Sequence, residues 1–352
     1  GPLGAEIAAL RRDLGSALAV VAPAFPAAGR TTLGGYQLVN GVPVSLTSYG
    51  QDPLYPVTES HIPTLLAESG DRVGLVDWRT VSAGPEAIAA EFYAMLEREV
   101  RTVVVDAVQP ADLVAVAAAI RRAPYRILPA GSAGLAAALC ETRPSVPLFA
   151  AAEAPKGRLL GKLPPVFIVN GSANPVSLAQ LQALDADVRK VVVDVRQLLL
   201  TDDEELERVA RQVLQGLLAG KDVLLTTAVS PEQVRRDQEL GTELGLSPFQ
   251  VGHHLSEVTG RLVKRVVEQG ELTHLVLVGG ETAASVCAQL PGDRLEILHE
   301  VLPAIPCSQL VGTPLRIVTK SGGFGAPEAL REIVTRMRLT GLEDESLRPR
   351  LR

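Results

Sequence analysis

Short runs of Val, Ile, Leu and Ala alternate along this chain with longer stretches in which apolar positions recur every three or four residues. The first pattern predicts strands buried on both faces, and the second predicts helices packed along one side. Residues 18–22, 73–76, 102–106, 126–128, 166–169, 190–195, 223–226, 275–278 and 315–319 read as strands, while 84–99, 110–122, 201–219 and 255–268 read as helices. Strands alternating with helices predict βαβ units, so the expected fold class is α/β, with two α/β domains built on mainly parallel sheets.

Residues 143–165 break the pattern, with five prolines and neither period, and read as a connection between halves. The expected organisation is a first domain over 1–145, a linker over 146–165, a second domain over 166–342 and a solvated tail over 343–352. Residues 29–64 lack either period and read as irregular loop, the kind of segment that often carries a site.

Composition narrows the function. The 352 residues are 47% hydrophobic and 21% charged, enough apolar surface for two cores and too much for disorder. Thirty-four Lys and Arg against 40 Asp and Glu give a net charge of −6, with no dense basic run, and only 3% of residues are aromatic. A nucleic acid partner is therefore not expected. No apolar run is long enough for a membrane span. Cys140, Cys287 and Cys307 lie far apart, as expected of a cytoplasmic protein without a disulfide framework.

Candidate chemistry concentrates in the second half, where three apolar strands each run into a Gly-containing turn. They are 166–169 into Asn170-Gly171-Ser172, 275–278 into Gly279-Gly280-Glu281-Thr282, and 315–319 into Lys320-Ser321-Gly322-Gly323-Phe324-Gly325. Such turns lie at the carboxyl ends of parallel strands, where glycine lets backbone N–H groups approach a phosphate. Any tight strand-to-helix turn also needs glycine, but three together favour a nucleotide cradle. Neither a P-loop nor a Gly-x-Gly-x-x-Gly fingerprint is present, which argues against a dinucleotide-dependent oxidoreductase. Lys320 reads as a phosphate partner or a solvated strand end, and Glu281 as a Mg²⁺ or ribose ligand or a complement to a helix dipole.

In the first half, Gly29-Arg30-Thr31-Thr32 offers a guanidinium and hydroxyls suited to a carboxylate, or a simple surface turn. Gly131-Ser132-Ala133-Gly134 repeats the strand-turn-helix pattern and equally suits close packing. His253-His254 cannot point at one metal from a helix face, and no zinc-ligand spacing occurs; no metal ligand is assigned.

Taken together and in order, these segments resemble the four-carbon acid sugar kinase family. The matching text is Ala22-Pro23-Ala24-Phe25-Pro26-Ala27-Ala28-Gly29-Arg30-Thr31-Thr32, Gly41-Val42-Pro43-Val44, Asp52-Pro53-Leu54, Thr58-Glu59-Ser60-His61, Val105-Asp106-Ala107 and Gly131-Ser132-Ala133-Gly134-Leu135-Ala136. It continues with Gly171-Ser172, Gly279-Gly280-Glu281-Thr282 and Lys320-Ser321-Gly322-Gly323-Phe324-Gly325. The resemblance implies an ATP- and Mg²⁺-dependent kinase acting on the terminal 4-hydroxyl of threonate, erythronate or a 3-oxo-tetronate. It also implies an N-terminal sugar-acid domain and a C-terminal ATP domain. By the family pattern Ser172, Gly279, Gly280, Glu281, Thr282 and Gly322 are expected to contact ATP, and Arg30 and Thr31 to lie on the substrate side.

One departure stands out. The family opens with an Ala-Asp-Asp-Leu/Phe-Thr-Gly-type segment and later carries Asp-Ser-Thr-Leu-Arg-Gly, and neither occurs here. Gly1-Pro2-Leu3-Gly4-Ala5-Glu6-Ile7 aligns with the text that follows the second motif, although Gly1 to Gly4 also resembles the remnant of a cleaved tag. Part of the sugar-acid domain is accordingly expected to be absent, and the alternative is a non-catalytic nucleotide- or sugar-acid-binding module. Asp52, Asp77 and Asp106 are the carboxylates left to orient a substrate, Asp106 reading rather as structural, and no catalytic base is assigned. A homodimer is the base-rate expectation for an α/β metabolic enzyme, with no interface marked in the sequence.

Overall fold

A computed structural model of the chain describes residues 2–50, 56–68, 70, 72–142, 163–200, 202–270 and 272–340. The chain divides into two compact units, Gly1–Pro147 and Leu148–Arg352. Asp52, most of the expected linker and the expected tail lie outside the described residues.

The first unit contains β1 (Leu18–Ala22), β2 (Arg30–Leu33), β3 (Tyr36–Val39), β4 (Val42–Pro43), β5 (Val73–Val76), β6 (Thr102–Val105) and β7 (Ile127–Gly131). Four of them form a parallel sheet in the order β5-β6-β1-β7. All five residues of β1 are buried because the strand is covered on both faces. Leu18, Val20 and Ala22 pack with Ile88, Phe92 and Val116, whereas Ala19 and Val21 pack with Ile7, Ile62 and Leu66. Two apolar faces explain why this strand shows no alternation in sequence.

The segment expected to be irregular contains a small antiparallel sheet, β2-β3-β4. Leu33 pairs with Tyr36, leaving Gly34-Gly35 as a two-residue hairpin loop. Both glycines have positive φ, 59° and 77°, the combination that such a loop requires and that other residues rarely adopt. With strands of four, four and two residues, the sheet leaves too short a trace for periodicity to register.

The second unit contains β8 (Phe167–Asn170), β9 (Arg189–Val192), β10 (Val223–Thr226), β11 (His274–Val278), β12 (Leu295–Leu302), β13 (Ile305–Leu310) and β14 (Arg316–Lys320). They form one sheet in the order β12-β13-β14-β11-β8-β10-β9. The run from β14 to β9 is parallel, and β12 and β13 extend it antiparallel at one edge. Phe167, Val169, Leu275, Leu277 and Ile317 pack on one face with Leu262 and Val266. Val166, Ile168, Val276, Val278 and Val318 pack on the other with Leu178, Leu330 and Ile333.

Two departures from the sequence reading have local causes. The helix Pro248–Gln269 starts two turns earlier than the apolar period suggests, because Ser247 and Gln250 form a capping box and Pro248 occupies the first turn. The β12–β13 hairpin was not expected, since β12 lies at the sheet edge with most of its residues exposed, Ile297 and Leu298 among them.

The amino ends of the parallel strands carry buried polar anchors. Asp222, 3% exposed, accepts the Val166 N–H at 2.9 Å and pairs with Arg338 of the helix Ala329–Thr340. His274 and Arg316 stand opposite each other as the first residues of β11 and β14.

Candidate functional site

In the second unit β8 has β10 on one side and β11 on the other. From β8 the chain crosses to β9 at the edge and comes back to insert β10 between them, then passes to the other side of β8 to build β11. This reversal is the switch point at which doubly wound sheets open a crevice beyond the carboxyl ends of their strands. The Gly-containing turns of the sequence analysis follow β8, β11 and β14, three neighbours around that point.

Hydrogen bonds carry the strand pairing into the turns: the Gly171 N–H donates to Val278 O at 3.1 Å, and the Gly279 N–H to Lys320 O at 2.9 Å. Beyond them the turns touch. A Cβ added to Gly171 would stand 2.0 Å from Thr282 Oγ1, and one added to Gly322 would stand 2.1 Å from Ser172 Oγ. Gly279, at φ 111°, has both Thr282 Oγ1 and Ser172 Cβ within reach, at 3.4 and 3.6 Å from its added Cβ. Ser172, Gly279, Thr282 and Gly322 therefore form one cluster.

Gly280 and Glu281 differ from the others. Both are exposed at the start of the helix Gly280–Gln289, and a Cβ on Gly280 would meet nothing within 4 Å. Close packing therefore does not demand this glycine. An open backbone at a helix N-terminus instead leaves room for an anion to approach N–H groups.

Beneath the turns lie polar side chains that sequence reasoning did not single out. Asn170, 1% exposed, donates through Nδ2 to Ser172 O and Thr226 Oγ1, both at 3.1 Å. Ser177 Oγ donates to Gly322 O at 2.8 Å. Gln180 Nε2 donates to the carbonyls of Phe324, Gly325 and Ala326 at 3.0, 3.1 and 2.8 Å. The available signal was a pair of polar residues one turn apart, Ser177 and Gln180, interleaved with Leu178 and Leu181 on the buried side of the helix Pro175–Gln182. Lys320 is no solvated strand end: it is 2% exposed, and its ammonium donates to Ser321 O at 3.0 Å and Gly322 O at 3.4 Å.

Arg30 and Thr31 belong to the first unit, in β2. This strand is docked by paired backbone bonds between Thr32 and Ala107, both at 2.9 Å, just beyond the carboxyl end of β6. The Arg30 guanidinium is half-buried, bonded to Ala28 O and to the Tyr49 hydroxyl at 2.7 Å, with its Cζ 5.8 Å from the Tyr49 ring centroid. Gly131 and Gly134 serve close packing: a Cβ on either would press on the backbone oxygen of Ala22 or Ala24, at 2.3 and 2.9 Å. Ser132 caps the following helix.

Of the three candidate carboxylates of this unit, the two that are described are committed locally. Asp106 is fully buried and accepts the N–H groups of Gly34, Gly35 and Trp78 at 2.7, 2.9 and 3.1 Å. Burial pushes its carboxyl above the usual range against the pull of those three donors. Asp77 caps the helix Trp78–Ser82 through the Thr80 N–H, which chiefly holds its carboxyl below the usual range.

Two grooves elsewhere in the second unit, of about 340 and 320 Å³, are lined by Arg261, Lys264 and Arg265 and by Asp194, Glu205 and Arg208. Both are open and highly charged, and neither includes a residue of the clustered turns, whose converging geometry makes the better site. Among the described residues no group of three or more His, Cys, Asp or Glu side chains is placed to hold a metal ion.

Comparison with known proteins covers both units. A sugar-binding N-terminal domain matches residues 1–139, and a nucleotide-binding C-terminal domain matches residues 167–330. The chain is 34% identical to the D-threonate kinase of Salmonella typhimurium over 94% of its own length and 76% of that protein's. It is 30% identical to the D-erythronate kinase of Heliobacterium modesticaldum, over 94% and 75%. It is also 30% identical to the 3-oxo-tetronate kinase of Methylobacterium radiotolerans, over 93% and 76%. In fold it is similar to a crystal structure of a Haemophilus influenzae protein, with a TM-score of 0.62 at 22% identity, covering 93% of this chain and 76% of that one. A Salmonella typhimurium protein, provisionally described as a tRNA synthase, gives 0.71 at 22% identity, covering 94% and 74%. Matched in both units, and in family order along nearly its whole length, the chain belongs to the four-carbon acid sugar kinase family.

Proposed function

We propose that this chain binds ATP at the turns after β8, β11 and β14 and takes part in transferring its terminal phosphoryl group to an alcohol of a four-carbon sugar acid. The observation that carries the reading is the clustering of Ser172, Gly279, Thr282 and Gly322 beside the open helix start at Gly280. Phosphoryl transfer needs little covalent chemistry from the protein; it needs the phosphates held in line and their charge stabilised by fixed donors. Backbone N–H groups at a switch point supply donors already fixed by the sheet. The fit is supported by a helix start left open at Gly280. Mg²⁺ accompanying ATP would be held mainly by phosphate oxygens and water, with Glu281 as the acidic side chain at the helix start.

The first unit supplies the acid-binding side in this reading, with Arg30 and Thr31 as its contacts. The 4-hydroxyl of threonate, erythronate or a 3-oxo-tetronate is the proposed acceptor, following the relatives. The free thiols of Cys140, Cys287 and Cys307 suit a reducing cytoplasm. No helix among the described residues is long and apolar enough to cross a membrane.

The test is ADP production with Mg·ATP and each of D-threonate, D-erythronate and 3-oxo-tetronate, alongside calorimetric titration of Mg·ATP alone. Turnover with one of the acids is the expected result. Binding of Mg·ATP with background turnover on all three would replace the kinase by a nucleotide-binding module, and no binding would overturn the nucleotide site itself.

A further inference from the structure

We propose that Gln180, assisted by Ser177, is a positioning residue that turns the backbone N–H groups of loop 321–326 toward the phosphates of the nucleotide. The inference rests on the nucleotide site described above and adds to it the side chains that hold the loop in its binding orientation.

Gln180 is fully buried, and its two amide hydrogens are shared among three successive carbonyls, Phe324, Gly325 and Ala326. Ser177, also fully buried, fixes Gly322 O, and Lys320 reaches Ser321 O and Gly322 O. Five carbonyls of one short loop thus point at three side chains beneath it. In a trans peptide the carbonyl and the following N–H point in opposite directions, and the described chain has no cis bond. Drawing the carbonyls of Ser321, Phe324 and Gly325 inward therefore turns the N–H groups of Gly322, Gly325 and Ala326 outward, the arrangement of an anion-binding concavity, while Ala326 is followed by Pro327, which carries no N–H. Gly322 lies in this loop directly against Ser172, so the outward face borders the clustered turns.

Gln180 holds these carbonyls at a cost of its own. Its Oε1 is buried with no partner among the described residues, and an orphaned acceptor in the interior destabilises the fold. A Met of similar length would pack there without that cost but could not hold the three carbonyls.

The experiment compares wild-type chain, Gln180→Met and Ser177→Ala by calorimetric titration with Mg·ATP, with the melting midpoint of each unliganded protein as control. The expected result is a Kd raised about tenfold or more in Gln180→Met and about threefold in Ser177→Ala, whatever lowering of the unliganded midpoints follows from the carbonyls left without donors. A merely structural role would move the midpoints and leave Kd in place, and a Gln180→Met Kd within twofold of wild type would overturn the proposal. If Gln180→Met does not fold, Ser177→Ala decides by the same criterion. Failure of the wild-type chain to bind Mg·ATP would remove the nucleotide site and this inference together; binding with equal Kd in all three removes this inference alone.

Discussion

Ser172 Oγ occupies the space that a side chain on Gly322 would need: an added Cβ would lie 2.1 Å from that oxygen and 3.0 Å from Ser172 Cβ. The two residues are 150 positions apart in sequence, and the parallel sheet sets their turns against each other. Gly322→Ala should force Ser172 to another rotamer and cost its hydrogen bond from the Asn174 N–H, now 3.2 Å long. The expected loss is about 1–3 kcal/mol, with weaker Mg·ATP binding. Adding Ser172→Gly should restore much of the stability without restoring affinity, and a double-mutant cycle read by denaturant unfolding and calorimetry checks both.

Gly280 offers the opposite test. With nothing within 4 Å of an added Cβ, Gly280→Val should leave the melting midpoint within about 2 °C of wild type. If the open helix start receives a phosphate, the same change should weaken Mg·ATP binding by about tenfold or more, near 1.4 kcal/mol. Equal affinity in a stable variant would count against this turn as part of the site.

Arg30 has a structural commitment to Tyr49 that its proposed role must be separated from. Tyr49→Phe removes the 2.7 Å hydrogen bond and keeps the ring beneath the guanidinium, so it should change sugar-acid kinetics by less than about threefold. Arg30→Lys retains the charge but loses the planar fork. It should raise the KM for the acid by about tenfold or more while the KM for ATP stays constant. Equal effects of the two variants would place Arg30 in the fold of β2 and not in substrate binding.

His274 predicts an acid limit to stability. Burial chiefly, and the neighbouring Arg316 guanidinium, lower its pKa from 6.5 to about 4, while the Met337 backbone works the other way. Between these values the unfolded chain takes up a proton that the folded chain refuses, so stability falls as pH drops from about 6.5 toward 4. The full effect is on the order of 3 kcal/mol. His274→Leu should flatten this limb, which denaturant midpoints between pH 4 and pH 7 would reveal. Because His274 opens β11 at the end of the sheet remote from the Gly-containing turns, affinity for Mg·ATP at neutral pH should not change.

How much could be read in advance depended on how local each signal was. Burial on two faces makes strands such as β1, β10 and β11 continuous apolar runs whatever the rest of the chain does, and their helices show their period for the same local reason. That determined the α/β class, and the ordered motifs determined the family. The β2–β3 hairpin and the exposed edge strand β12 lack such a signal, since short or solvent-facing strands bury too little to impose a pattern. Strand order is likewise not local: only the parallel pairing of β8 with β11 and of β11 with β14 brings Ser172, Thr282 and Gly322 together. The same pairing buries Lys320, which reads in sequence as either a phosphate partner or a solvated strand end, and sets Gln180 beneath a loop more than 140 residues away. The sequence by itself thus determined the elements that bury apolar faces and marked where Gly-containing turns follow them, through burial and backbone freedom at single positions. Tertiary structure alone decided which of those glycines meet, because hydrogen bonds between distant strands carry that information.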